Sequence, residues 1–227
     1  DTFKNTVIYI YICSTISNSY LIKSINMKKF LSIMAVAVIA ITGCKQPTPT
    51  QNNLKNILGF NKIQINKYNA MAAQAEKDSM PQIAAYFKAL AASDSVINSK
   101  FVALATERKV QDTLSKHPVE LKSTNENFAE AVLALSVEIS SMYPAYIDQA
   151  KKDNDTVIVK LLEAALKIKE AQSQVQSLTG DAAAQFGVCT VCGNVLDMSK
   201  APETCPICGE SKEKFKLLRK KKKTGRI

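Results

Sequence analysis

Histidine is almost absent from this chain of 227 residues, because His117 is the only one. A metal site that draws imidazole ligands from two or more helices is therefore excluded. Tryptophan is absent, and glycine and proline each occur only seven times. Between residues 52 and 180 these two residue types are confined to Gly59, Pro81, Pro118, Pro144 and Gly180. Their scarcity favours long helices in this part of the chain.

A long hydrophobic run is also missing. The most apolar segment, residues 30 to 41, is too short to span a bilayer comfortably. It follows the basic start Met27-Lys28-Lys29 and ends in Ile41-Thr42-Gly43-Cys44, which is typical of a bacterial lipoprotein signal with Cys44 as the lipidated residue. A plain signal peptide or an N-terminal membrane anchor is the alternative. The pattern predicts a protein of the bacterial cell envelope that is lipid-anchored to a membrane.

The N-terminal region is accordingly divided into three parts. Residues 1 to 26 precede the signal and are interpreted as upstream translation, so that Cys13 carries no functional weight. Residues 27 to 43 are the signal peptide. Residues 44 to 51 contain two prolines and two threonines and read as a flexible tether.

The four remaining cysteines form two Cys-x-x-Cys-Gly motifs, at Cys189 and Cys192 and at Cys205 and Cys208. Each motif is expected to turn both of its sulfurs to one side, and the glycine lets the backbone fold back toward them. Two disulfides are the alternative for an exported chain. The paired motifs and the Cys-Pro-x-Cys-Gly form favour a tetrahedral metal site instead. Iron and zinc both suit four thiolates.

The positive charge of the chain is concentrated at its C-terminus. The whole chain carries a formal net charge of +10, but residues 211 to 227 alone contain nine Lys or Arg and a single acid, Glu213. The basic tail, residues 219 to 227, could contact anionic lipid or an acidic partner. A solvated end is the alternative. No base-reading motif accompanies the charge, so no nucleic-acid partner is predicted.

The region between the tether and the cysteines predicts a mainly α fold. Apolar residues recur at spacings of three and four, which indicates a four-helix bundle over residues 52 to 180. The predicted helices cover residues 52 to 77, 81 to 107, a segment that begins near Ser123, and residues 155 to 178. In the fourth helix, the residues expected on one buried face are Val157, Leu161, Leu162, Ala165 and Ile168.

The chain resembles the rubrerythrin family in layout and in local sequence. Four helical segments resemble those of rubrerythrins: Asn66-Lys67-Tyr68, residues 81 to 87 (PQIAAYF), Met142-Tyr143-Pro144 and Ala165-Leu166-Lys167. Ala201-Pro202-Glu203 before Cys205 resembles the family's rubredoxin-like domain. The resemblance implies a ferritin-like four-helix bundle over residues 52 to 180, followed by a small rubredoxin-like metal-binding domain over residues 185 to 218.

Rubrerythrins hold two irons in the bundle through Glu and His ligands and reduce peroxide there. In this chain the corresponding positions are occupied by Asn61, Asp94, Ile97, Leu135, Glu138, Lys169 and Gln172. Only Asp94 and Glu138 keep a carboxylate, and the resemblance therefore implies a degenerate diiron site. We expect Asp94 to pair with Lys169 in the interior, and Glu138 to bond to Asn61 or Gln172.

These inferences predict a rubrerythrin-like iron-binding redox protein. It would transfer electrons through one rubredoxin-type iron held by Cys189, Cys192, Cys205 and Cys208, and it would be linked to peroxide or oxidative-stress defence. Its electron-transfer partner is unknown, and the family implies a homodimer. Two alternatives remain open: an active peroxidase with an atypical diiron site, and a non-redox lipoprotein with a structural zinc.

Overall fold

The structure is a computed structural model that describes residues 46 to 111 and 118 to 218. The expected signal peptide, Cys44, His117 and the basic tail lie outside the described residues. From Pro47 onward the described residues belong to one compact unit. Within them, no helix is both long enough and apolar enough to cross a membrane.

The first two helices form a hairpin. Helix α1 spans Pro49–Lys77, and helix α2 spans Pro81–Glu107. Helix α1 begins three residues before the predicted start, so the prediction that residues 49 to 51 belong to a flexible tether is wrong. The earlier start follows from a capping box, in which the Thr48 hydroxyl accepts from the Gln51 amide and the Gln51 side chain accepts from the Thr48 amide. The three-residue turn between α1 and α2 brings the two helices together along their length.

The third helix of the bundle is divided by a wider turn. Helix α3 spans Thr124–Val137, a π-helical turn spans Glu138–Met142, and helix α4 spans Tyr143–Lys152. Pro144 lies in the first turn of α4 and has no N–H to donate to the preceding turn, which accounts for the interrupted α-helical pattern. Glu138 opens the π-helical turn and is buried.

The fourth helix, α5, spans Thr156–Gln174 and continues as a 3-10 turn over Val175–Gly180. The Asp155 side chain caps it by accepting a hydrogen bond from the Ile158 amide at 3.3 Å. The prediction that Val157 faces the core is wrong, since this side chain is 58% exposed and Ile158 is buried instead. Ile158, Leu162, Ala165 and Lys169 follow one another at spacings of four, three and four and form the buried face of α5, which excludes Val157.

A small three-stranded sheet follows the bundle. Strands β1 (Phe186–Cys189), β2 (Val195–Asp197) and β3 (Phe215–Leu217) are antiparallel and lie in the order β2-β1-β3. Cys189 pairs with Phe215 across the β1-β3 ladder. The predicted fold class, a mainly α protein with a four-helix bundle and a small C-terminal domain, is confirmed.

The small domain shares its core with the bundle. One hydrophobic cluster joins bundle residues to three of the cysteines and includes Leu54, Ile57, Phe101, Leu162, Cys189, Cys192 and Cys205. A second cluster joins the bundle to the sheet and includes Tyr68, Phe87, Leu90, Phe186, Val188 and Val195. The two parts are therefore packed together through apolar side chains, which fixes the position of the cysteines against the helices.

Candidate metal centre

Two tight turns present the four cysteines. In the first turn the Gly193 amide donates to the Cys189 carbonyl at 2.9 Å, and in the second the Gly209 amide donates to the Cys205 carbonyl at 2.8 Å. Both glycines have positive φ, 92° at Gly193 and 77° at Gly209. This backbone conformation is unfavourable for other residues, and the glycine after each Cys-x-x-Cys pair therefore shapes the site.

The structure brings the four predicted cysteines together. Their sulfurs all lie within 4.8 Å of one another, with 3.7 Å between Cys189 and Cys208 and 3.6 Å between Cys192 and Cys205. A tetrahedral site with metal–sulfur bonds of about 2.3 Å requires sulfur–sulfur separations of about 3.8 Å. The donor set therefore fits a single tetrahedral ion. Across residues 46 to 111 and 118 to 218, no other group of three or more His, Cys, Asp or Glu converges in this way.

The four cysteines are called the tetrathiolate site below, and the N–H groups of Asn194 lie close to two of their sulfurs. The Asn194 amide lies 3.4 Å from Cys192 Sγ, and the Asn194 side chain donates to Cys205 Sγ at 3.6 Å. Burial raises the pKa of the Cys192 thiol. A metal ion must therefore displace a proton here, and the N–H groups of Asn194 then stabilise the resulting negative charge. Of the four cysteines, Cys208 alone is exposed.

A second group of polar side chains lies inside the bundle. Lys169 Nζ donates to Asp94 Oδ1 at 2.8 Å and also lies 2.8 Å from Glu138 Oε2, and all three side chains are at most 1% exposed. The predicted pair between Asp94 and Lys169 is confirmed. The expectation for Glu138 is wrong, because the long lysine side chain reaches both carboxylates and pairs with Glu138 in place of Asn61 or Gln172.

Gln172 connects this group to helix α2. Its Nε2 donates to Asp94 Oδ1 at 2.7 Å and to Ser93 Oγ at 2.8 Å. We call Asp94, Glu138, Lys169 and Gln172 the bundle cluster. The three remaining positions considered in the sequence are also buried: Asn61, Ile97 and Leu135.

The charges of the bundle cluster depend on one another. Burial by itself lowers the pKa of Lys169, but the charges of Asp94 and Glu138 outweigh burial and raise this pKa well above its usual value. Burial raises the pKa of Glu138, and Lys169 opposes that change. Lys169 is therefore protonated at neutral pH and places a positive charge between the two carboxylates.

The bundle cluster and the tetrathiolate site are in contact through Ser93. The Ser93 hydroxyl donates to the Gly193 carbonyl, and a Cβ placed on Gly193 would lie 3.0 Å from the Ser93 carbonyl oxygen. Ser93 and Asn194 are both fully buried, and sequence reasoning missed both of them. Ser93 and Gly193 are 100 positions apart, and no sequence pattern predicts that they touch. The only signal is the glycine itself, which is typical of a position where two backbones approach closely.

A four-helix bundle that carries a tetrathiolate domain within the same compact unit defines a class of two-part metalloproteins. Two protein-family models match the chain: "Rubrerythrin" over residues 63 to 170 and "Rubrerythrin, rubredoxin-like domain" over residues 188 to 216. Together they cover more than half of the chain, which therefore belongs to the rubrerythrin family.

Individual relatives agree with this assignment. Rubrerythrin-2 of Clostridium acetobutylicum is 26% identical over 176 residues, which are 73% of this chain and 95% of that protein. Nigerythrin of Nitratidesulfovibrio vulgaris is 26% identical over 175 residues, which are 73% of this chain and 85% of the relative. A solved structure of nigerythrin in its fully reduced, all-ferrous state has a TM-score of 0.69, with 24% identity and coverage of 77% of this chain and 89% of that one.

Proposed function

We propose that this protein is an iron-binding electron-transfer protein in which the tetrathiolate site exchanges single electrons with an external partner. The observation that carries the proposal is the tetrahedral arrangement of four sulfurs, with Cys208 exposed at the protein surface. When bound by four thiolates, iron supplies a one-electron couple that keeps the same ligands in both oxidation states. Because rubrerythrins reduce peroxide, the resemblance to that family links this electron transfer to peroxide or oxidative-stress defence.

The bundle, in this proposal, is a degenerate diiron site without bound iron. Three of the seven family ligand positions carry Ile97, Leu135 and Lys169, which cannot serve as ligands in this arrangement. The ammonium group of Lys169 supplies the positive charge that Asp94 and Glu138 require. A bound cation pair would have to displace this lysine and leave its charge buried without a partner, which is unfavourable.

Metal analysis tests both statements. Residues 45 to 227 are expressed without a metal-binding tag in iron-replete medium, and the metal content and the visible spectrum are recorded before and after reduction. We expect about one iron per chain and a thiolate-to-iron colour that bleaches on reduction. About three irons would contradict the degenerate bundle and indicate a peroxidase, whereas colourless protein with about one zinc would indicate a structural site.

Two variants assign the metal to its ligands. Cys205→Ser is expected to lose the bound metal, because Cys205 is one of four ligands that form the tetrahedral set. The complementary variant combines Asp94→Asn, Glu138→Gln and Lys169→Met, which removes both carboxylates without leaving the ammonium group unpaired, and it is expected to leave metal content unchanged. Iron that falls in the second variant but persists in the first would place the metal in the bundle and overturn the proposal.

The proposal also includes attachment to a membrane through a lipidated Cys44. Its support is the sequence Ile41-Thr42-Gly43-Cys44 at the end of a short apolar segment. Lipid attachment would hold the tetrathiolate site close to the membrane surface, where the basic tail can contact anionic lipid. In the full chain, Cys44→Ala is expected to move the protein from the membrane fraction to the soluble fraction. Persistent membrane association of that variant would indicate an uncleaved anchor.

A further inference from the structure

One peptide group next to the tetrathiolate site is hydrogen-bonded at both ends. It joins Gly193 to Asn194. Its carbonyl oxygen accepts a hydrogen bond from Ser93 Oγ, which belongs to helix α2, and its N–H lies 3.4 Å from Cys192 Sγ. The bundle therefore contacts a peptide that directly hydrogen-bonds a metal-binding sulfur.

The Ser93 hydroxyl is itself held by the bundle cluster. Because its single hydrogen is donated to the Gly193 carbonyl, its oxygen is free to accept from Gln172 Nε2 at 2.8 Å. Gln172 Nε2 also donates to Asp94 Oδ1 at 2.7 Å, and Lys169 Nζ donates to the same oxygen at 2.8 Å. A continuous series of buried hydrogen bonds thus runs from the Lys169 ammonium group to Cys192.

The direction of these bonds determines their effect on the sulfur. A donor on the carbonyl oxygen draws electron density away from the peptide nitrogen, which makes the N–H a stronger donor. Hydrogen bonds to the sulfurs of a tetrathiolate site stabilise the reduced state more than the oxidised state, because the reduced site carries more negative charge. Ser93, and Gln172, which donates a hydrogen bond to it, should therefore raise the reduction potential of the tetrathiolate site.

We propose that Ser93 and Gln172 are positioning residues that raise the reduction potential of the tetrathiolate site through the peptide group between Gly193 and Asn194. This inference rests on the proposed function, since it requires iron in the tetrathiolate site. The reaction concerned is the gain of one electron by the ferric site from a one-electron donor, with no bond made or broken. Gln172, which stands at a family ligand position, thereby has a role in the electron transfer without binding a metal.

The first test is a redox titration of the iron-loaded protein, comparing Ser93→Ala and Gln172→Leu with a matched control. Ser95→Ala is that control, because Ser95 lies on the same helix and its hydroxyl donates to the Ala91 carbonyl, at 2.7 Å. At a fixed potential we expect Ser93→Ala to shift the oxidised-to-reduced ratio by about threefold toward the oxidised form. Ser95→Ala should match the unchanged protein.

A double variant separates the hydrogen-bonded connection from general loosening of the structure. If Gln172 acts through Ser93, the variant with both Ser93→Ala and Gln172→Leu shifts the potential no further than Ser93→Ala alone. If the shifts in potential of the two single variants add in the double variant, the residues act independently, and the proposal that Gln172 acts through Ser93 is overturned. An unchanged potential in Ser93→Ala, with the visible spectrum and helix content preserved, would overturn the proposal entirely.

A second readout does not depend on iron. In the zinc-loaded protein, the amide proton of Asn194 reports the strength of its bond to Cys192 Sγ by its NMR chemical shift. We expect an upfield shift of this proton in Ser93→Ala and in Gln172→Leu, and none in Ser95→Ala. If these shifts appear but the native protein carries zinc, the proposed function fails while the hydrogen-bonded connection stands. If they are absent in folded variants, the connection fails whatever metal is bound.

Discussion

Lys169 shows how the bundle interior accommodates a single buried positive charge. It is fully buried, and it is tolerated there because Asp94 and Glu138 both lie within 2.8 Å of its ammonium group. A buried charge without a partner is far more costly than a buried pair, so the lysine is stable here only while at least one carboxylate remains beside it. The sequence could indicate the pair between Asp94 and Lys169, because carboxylate and amine stand at family ligand positions.

Replacing the lysine should therefore lower the free energy of unfolding much more than replacing one of the two carboxylates. Lys169→Met leaves two carboxylates buried without a cation and is expected to lower the free energy of unfolding by about 3 to 5 kcal/mol at pH 7. Glu138→Gln leaves Lys169 paired with Asp94 and should cost less than about 1 kcal/mol. Urea unfolding measures both, and Lys167→Met, which changes an exposed lysine on the same helix, is the control.

The pH dependence of stability tests the direction in which the contribution of Glu138 changes with pH. Because burial raises the pKa of Glu138, the folded protein holds this proton more tightly than the unfolded chain does. The contribution of Glu138 to stability is therefore greatest below its unfolded pKa and declines as pH rises through the folded pKa. Glu138→Gln should flatten this decline. If the variant keeps the decline of the unchanged protein, Glu138 is not its source.

At the scale of elements, charged side chains at helix ends hold α2 and α5 together. Arg108 follows the last residue of α2 and forms a two-pronged pair with Asp155, the capping residue of α5, with 2.8 Å between Nη2 and Oδ1. Hydrogen bonding from Arg108 lowers the pKa of Asp155. The same carboxylate thus fixes the start of one helix and binds the end of another.

Asp155→Ala should remove both effects. We expect a loss of about 1 to 2 kcal/mol at neutral pH, most of it from the cap, because the ion pair is partly exposed to solvent. Since the folded pKa of Asp155 is lowered, its contribution is present above the unfolded pKa and is lost as pH falls through the folded value. The variant and the unchanged protein should converge in acid. Asp148→Ala, at an exposed position of α4, is the control, and an equal loss there would contradict this account.

The elements also show where sequence patterns stop being informative. Helix α2 was predicted with its observed bounds because Pro81 and the surrounding spacing define its start. The outward position of Val157 was missed because the buried face of α5 continues into the polar residues Lys169 and Gln172, which an apolar pattern does not include. The π-helical turn at Glu138–Met142 also had no distinct signal, although Pro144 marks the place where α-helical bonding is interrupted.

At the scale of the whole molecule, the two parts of the chain were predictable but their contact was not. The spacing of four cysteines predicts a tetrahedral site, because short motifs constrain the local backbone. The packing of Gly193 against Ser93 joins two distant parts of the sequence, and local sequence patterns do not predict such contacts. The contact nevertheless has a physical consequence. Metal binding in the small domain should stabilise the part of α2 around Ser93.

Removal of the metal should therefore affect both parts of the molecule. Cys189, Cys192 and Cys205 belong to the same hydrophobic cluster as Leu54 and Phe101, and without a metal ion four close sulfurs lose the bonds that hold them. After chelation we expect faster amide hydrogen exchange throughout Phe186–Leu217, a smaller increase in α2 around Ser93, and no change in α3. Added zinc should restore the original rates, which controls for irreversible damage. Exchange that stays slow in the sheet after complete metal removal would show that apolar packing against the bundle, rather than the metal, holds the small domain together.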